Sequence, residues 1–219
     1  MGSITRGLSN NITTGGVILP AGITNASVSA VTSFANASGG TLILLSTQTA
    51  SNSATISFTT GLDSTYDLYE FKFIDIHPRD SSGIQFQFNF STDSGSNYNV
   101  TKTSTMFRAY NNEAGSSMGL DYVTSGDLAQ STSFQDLARE IGNGADEDIS
   151  GSLQVFNPSS TTYAKHFISN FNTYTHQSYT MNHYGAGYGN TTSAINAIRF
   201  QMSAGNFDGT IKLYGLKKS

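Results

Sequence analysis

The sequence predicts an all-β protein, an antiparallel two-sheet sandwich of jelly-roll type preceded by an extended N-terminal arm. Three observations predict it. Between Ser81 and Thr92, Ile84, Phe86, Phe88 and Phe90 alternate with Gln85, Gln87, Asn89 and Ser91, the period of a strand with one buried face. About ten short runs of this kind recur at the 8 to 12 residue spacing of sandwiches and barrels. The composition is that of a folded chain with a neutral polar surface: 219 residues, 37% hydrophobic, 11% aromatic and only 12% charged.

Taken in order, residues 1–40 are rich in Ser, Thr, Asn, Ala and Gly, with sparse aliphatics. No helical or strand period runs through them, so they read as an extended arm. Val17, Ile18 and Leu19 stand together there, more than a solvated leader needs, and are the candidate attachment residues of the arm. Residues 41–219 read as one sandwich domain. Thr41 to Thr47 and Ala54 to Phe58 are its first strands.

Tyr66 to Pro78 is a further strand, and the link Arg79 to Gly83 predicts a hairpin joining it to the Ser81–Thr92 strand. Within it the apolar phase passes from Tyr69, Phe71 and Phe73 to Ile74 and Ile76, so a bulge is expected near Phe73. Met106, Phe107 and Tyr110 mark another strand. Residues 111–151 read as an irregular insertion, with Phe134, Leu137 and Ile141 at helical spacing behind a capping Ser133. Strands return at Leu153–Phe156, Tyr163–Tyr174, Ser178–Tyr184, Ala194–Met202 and Thr210–Leu216.

Several functions are disfavoured. A net charge of −4 supplies no basic stripe for phosphates, so no nucleic-acid partner is expected. With no cysteine there are neither disulfides nor thiolate metal sites. No run reaches the about 18 apolar residues of a membrane span, and Met1 to Pro20 lacks the pattern of a secretory signal. His77, His166, His176 and His183 show no ligand spacing, and Asp146-Glu147-Asp148 lacks the alternation of a calcium loop. No nucleophile motif occurs. The expectation is a protein without catalytic residues, metal or cofactor.

One stretch is suggestive. Tyr174, His176, Tyr179, His183, Tyr184 and Tyr188 bring aromatic rings beside Asn172, Asn182 and Asn190. Rings with amide donors suit stacking on sugars, and they equally suit a buried sheet face or an interface between copies.

Three segments together, GGTLILLSTQTASNSATISFTTGLDSTYDLYEFKFIDIHP (39–78), FNPSSTTYAKHFIS (156–169) and GYGNTTSAINAIRFQMSAGNFDGTIKLYGL (187–216), resemble virion structural proteins of tailed bacteriophages, especially those of aquatic hosts. Such proteins have a jelly-roll body and end in a strand similar to Ile211–Gly215. The leader ITRGLSNNITTGG (4–16) resembles their attachment arm. The resemblance covers a little under half of the chain, leaves 111–151 without a counterpart, and transfers no active-site residue. It implies a particle component partnered by other virion proteins and by itself as a homotrimer. A tail-associated fibre or appendage contacting the host surface, host glycan included, comes first. The alternatives are a capsid decoration protein (cement or head fibre) and a carbohydrate-binding module. A polysaccharide-degrading enzyme would need a carboxylate pair that one sequence does not reveal.

Overall fold

A computed structural model describes residues 12–13, 16–17 and 42–216. The chain divides into two units, 1–39 and 40–219. In the first, β1 (Ile12–Thr13) pairs antiparallel with β2 (Gly16–Val17). Val17 therefore belongs to a strand, whereas Ile18 and Leu19 lie outside the described residues.

The second unit is built of β3 (Leu42–Ser53), β4 (Thr55–Phe58), β5 (Leu68–Pro78), β6 (Ile84–Ser91), β7 (Lys102–Asn112), β8 (Met118–Tyr122), β9 (Gln135–Ile141), β10 (Ile149–Phe156), β11 (Lys165–Tyr174), β12 (Tyr179–Gly189), β13 (Ala197–Met202) and β14 (Phe207–Leu216). A large sheet runs β3-β14-β5-β10-β11-β12-β7-β8 and a small one β4-β13-β6-β9. The first four strands of the large sheet and the four of the small one form the eight-stranded jelly roll. Strands β11, β12, β7 and β8 are inserted into that connectivity and prolong the large sheet beyond β10. Every neighbouring pair is antiparallel.

Phenylalanine fills the space between the sheets. Phe71 and Phe73 of β5, Phe86, Phe88 and Phe90 of β6, Phe167 and Phe171 of β11, and Phe200 of β13 are all buried. Their rings meet edge to face, as in Phe73–Phe200 at 4.9 Å and 76° and Phe88–Phe167 at 5.1 Å and 83°, the arrangement the ring quadrupole favours.

The structure corrects three expectations. β5 and β6 are not a hairpin: β5 pairs with β14 and β10, and β6 with β13 and β9. Their link crosses the sandwich instead, tied by Arg79 N–H to Asn206 O at 3.0 Å and Gly83 N–H to Ile141 O at 2.7 Å. Alternation shows that two strands each have an apolar face, and is silent on whether those faces lie side by side or opposed. Residues 133–141 are not helical either; β9 occupies 135–141. Its pairing with β6 shifts register twice within a few residues, so Gln135, Asp136, Leu137 and Ala138 are all buried. That loss of period two is what imitates a helical spacing. Finally, 111–151 is not irregular throughout: between its loops it carries the end of β7, all of β8 and β9 and the start of β10.

The bulge in β5 is present, one or two residues beyond Phe73. Asp75 takes a left-handed φ of 51°, and β5 shifts register there against both neighbours. The extra residue returns Ile76 to the core beside Phe73, leaving Ile74 on the surface at 39% exposure.

Candidate functional site

The inserted strands carry an apolar outer face. Along β11 and β12 the odd positions Phe167, Phe171, Met181 and His183 point inward, which sends Ile168, Tyr184 and Tyr188 outward. Antiparallel register then aligns Tyr184 with Phe107 of β7 and Phe107 with Tyr122 of β8. The Phe107 and Tyr184 rings stack at 5.0 Å and 11°. One row along, Leu120 stands opposite Ala109. Phe107, Met118, Leu120, Tyr122, Ile168 and Tyr184 are 40% to 71% exposed, and they sit on four adjacent strands.

Toward one end this face hollows into a depression of about 740 Å³, lined among others by Thr105, Phe156, His166, Ile168, Ala186 and Tyr188. Thr105 and Ala186 are cross-strand partners, and their small side chains form its floor between larger neighbours. The Tyr188 ring lies 6.1 Å from His166. Beyond β10 the outer face is mixed, with Lys72 Nζ donating to Glu70 at 2.5 Å beside the exposed Ile74. Leu42 and Leu44 are exposed again on the edge strand β3.

The six residues expected to form one aromatic face do not do so. Tyr174, Tyr184 and Tyr188 share the outer face, Tyr174 bonding Glu113 through its hydroxyl at 2.9 Å. His176 lies in the turn between β11 and β12, its Nδ1 3.3 Å from Glu140 O. Tyr179 and His183 occupy inward positions of β12, and His183 is fully buried. The cause is parity: residues an odd number apart on one strand face opposite ways. The sequence reading missed Phe107 as a member of the outer face, together with Leu120 and Tyr122. The alternation of Met118, Leu120 and Tyr122 was the available signal, lost among glycines and serines.

The remaining ionisable candidates are engaged locally. His77 Nδ1 lies 2.7 Å from Glu147 O, and Glu147 accepts the Gly144 N–H at 2.6 Å. Burial, and then the charge of Asp75, raise the Asp148 carboxyl above its ordinary value. Among the described residues no group of three or more His, Cys, Asp or Glu is placed to hold a metal ion. Lys102 is buried, its Nζ donating to Asn89 Oδ1 at 2.5 Å and Val100 O at 2.9 Å. Lys165 is likewise buried and bonds Tyr163 O and Thr191 O at 2.9 and 3.1 Å. Both lysine amines tie down the loops at one end of the sandwich.

These features define a jelly-roll β-sandwich whose large sheet is extended by four strands with an apolar outer face. No family description, curated protein or solved structure matches the chain.

Proposed function

We propose that the protein is a structural component of a bacteriophage virion, a tail-associated fibre or appendage subunit that associates with copies of itself as a trimer. One observation carries the self-association: six large apolar side chains exposed together on β11, β12, β7 and β8. Monomeric soluble proteins rarely leave such contiguous apolar surface in water, and its covering by a partner removes that cost. A sheet face offering stacked rings and aliphatics, ringed by Asn and Thr, has the composition of an interface centre with a polar rim. The particle assignment rests on the sequence resemblance.

Two measurements test the reading. Light scattering after size exclusion is expected to give a trimer mass, and Phe107→Glu with Leu120→Glu to shift it to the monomer. A wild-type monomer would remove the self-association. Immunogold electron microscopy is expected to place the protein on the tail; label on the head would make it a capsid decoration protein, and label absent from particles would end the virion reading.

A further inference from the structure

The large sheet has eight strands and the small one four, so the sandwich is open along one side. The small sheet ends at β9, and the inner faces of β12, β7 and β8 overhang it. Between them lie two adjoining hollows of about 360 and 320 Å³, both lined by Arg108 of β7 and Glu140 of β9. Their combined size falls in the range of small-molecule sites, about 300 to 1,000 Å³.

Arg108 is the under-used group of this cleft. Among the described residues its Nη1 meets Met181 Sδ at 3.5 Å, and its Nη2 stands 3.8 Å from Asp121 Oδ2. Its buried Nε has no partner among the described residues, an exception to the general satisfaction of buried donors. Arg139, by contrast, is committed to the Asp136 carboxylate and to Ser125 O. Beside Arg108 the Tyr110 and Tyr179 rings stand 6.0 Å apart at 60°, with the guanidinium 5.6 Å from the Tyr110 centroid. Gln177 adds an amide, and Glu140 an acceptor carboxylate held on a left-handed backbone, φ 59°. Strain of that kind concentrates at functional sites.

The chemistry selects the ligand. Arg108 and Arg139 are balanced by Asp121, Asp136 and Glu140, so a charged ligand meets like charge whichever sign it carries. A hydroxyl both donates and accepts, and therefore fits between the Arg108 fork, the Glu140 carboxylate and the Gln177 amide. The tyrosine rings offer flat apolar surface to the C–H face of a sugar. We propose that this cleft binds an uncharged pyranose, ringed by Tyr110 and Tyr179 and held through its hydroxyls by Arg108, Glu140 and Gln177. The site is distinct from the outer face and independent of the virion reading.

Saturation-transfer NMR on the full chain tests it with the methyl pyranosides of mannose, galactose and glucose at millimolar concentration, beside glucuronic and N-acetylneuraminic acids. At least one neutral pyranoside is expected to show transfer. Arg108→Met is expected to weaken it about tenfold, the loss of a charge-assisted hydrogen bond. Gln177→Ala, at an exposed turn position that leaves the core intact, is expected to weaken it about threefold. Tyr163→Ser, at an exposed tyrosine outside the cleft, is expected to leave it unchanged. Transfer to none of the neutral sugars, transfer to the acidic sugars alone, or transfer untouched by both cleft substitutions would each overturn the proposal.

Discussion

His183 faces inward from β12 between Phe171 of β11 and Arg108 of β7. Its Nδ1 lies 3.5 Å from Thr173 Oγ1, and its Nε2 is buried without a partner among the described residues. Burial first, and then the charges of Arg108 and Arg139, lower its pKa to about 3. The unfolded chain, titrating near 6.5, therefore binds this proton more readily throughout the window between those values. Stability contributed by neutral His183 is complete above about pH 6.5 and is lost as pH falls toward 3, at up to about 1.4 kcal/mol per unit. Thermal melts from pH 7 to pH 4 are expected to fall more steeply for the wild type than for His183→Gln; parallel profiles would assign the acid loss to other groups. Lys102 is perturbed in the alkaline range, where burial lowers its pKa to about 7. Between there and its ordinary value near 10.5 the unfolded chain holds the extra proton, so stability rises with pH. From pH 7 to pH 9 the melting temperature is expected to climb in the wild type and to climb less in Lys102→Met, whatever that variant's absolute stability; equal slopes would mean that Lys102 keeps an ordinary pKa in the fold.

At the scale of elements, the apolar face of β6 was legible, whereas its pairing and the burial of Asn89 and Ser91 on its polar face were not. Ile84, Phe86, Phe88 and Phe90 are buried as their alternation requires. Phe88 packs on Phe90 at 4.9 Å and on Phe167 at 5.1 Å. Phe88→Ala is expected to cost about 3 to 5 kcal/mol in urea unfolding, the transfer and cavity cost of a core phenylalanine. Gln87→Ala on the opposite face is expected to cost about 1 kcal/mol rather than nothing, since Gln87 Nε2 donates to buried Asp136 Oδ1 at 2.7 Å. Equal losses would mean that the two faces contribute alike. The pairing was hidden because β6 neighbours β9 and β13, strands that lie from about 45 to over 100 residues away along the chain. β9 was misread for a related reason: its burial follows two register shifts against β6, which exist only once the strands are paired. The outer face was half legible. Tyr184 and Tyr188 stand out by composition, but Phe107 joins them through the β7–β12 register, a contact between segments over 70 residues apart.

At the scale of the whole molecule, residues 40–219 form a unit by themselves, closed over a phenylalanine core. Burial of that apolar surface is what holds such a fold together. Residues 1–40 carry too few apolar side chains to build a core of their own. Folding and attachment are therefore expected to be separable. An attachment segment that adds a strand to a partner's sheet edge needs main-chain hydrogen bonds, which a Ser, Thr and Asn-rich sequence supplies, and a few aliphatics such as Val17, Ile18 and Leu19 to set its register. Deleting Met1 to Ser38 is expected to leave the melting transition and the self-association of the sandwich nearly unchanged, both read on purified protein, while abolishing incorporation into phage particles. If the truncated protein enters particles at the normal copy number, attachment belongs to the sandwich, and the exposed Leu42 and Leu44 on the edge strand β3 become the surface to substitute next.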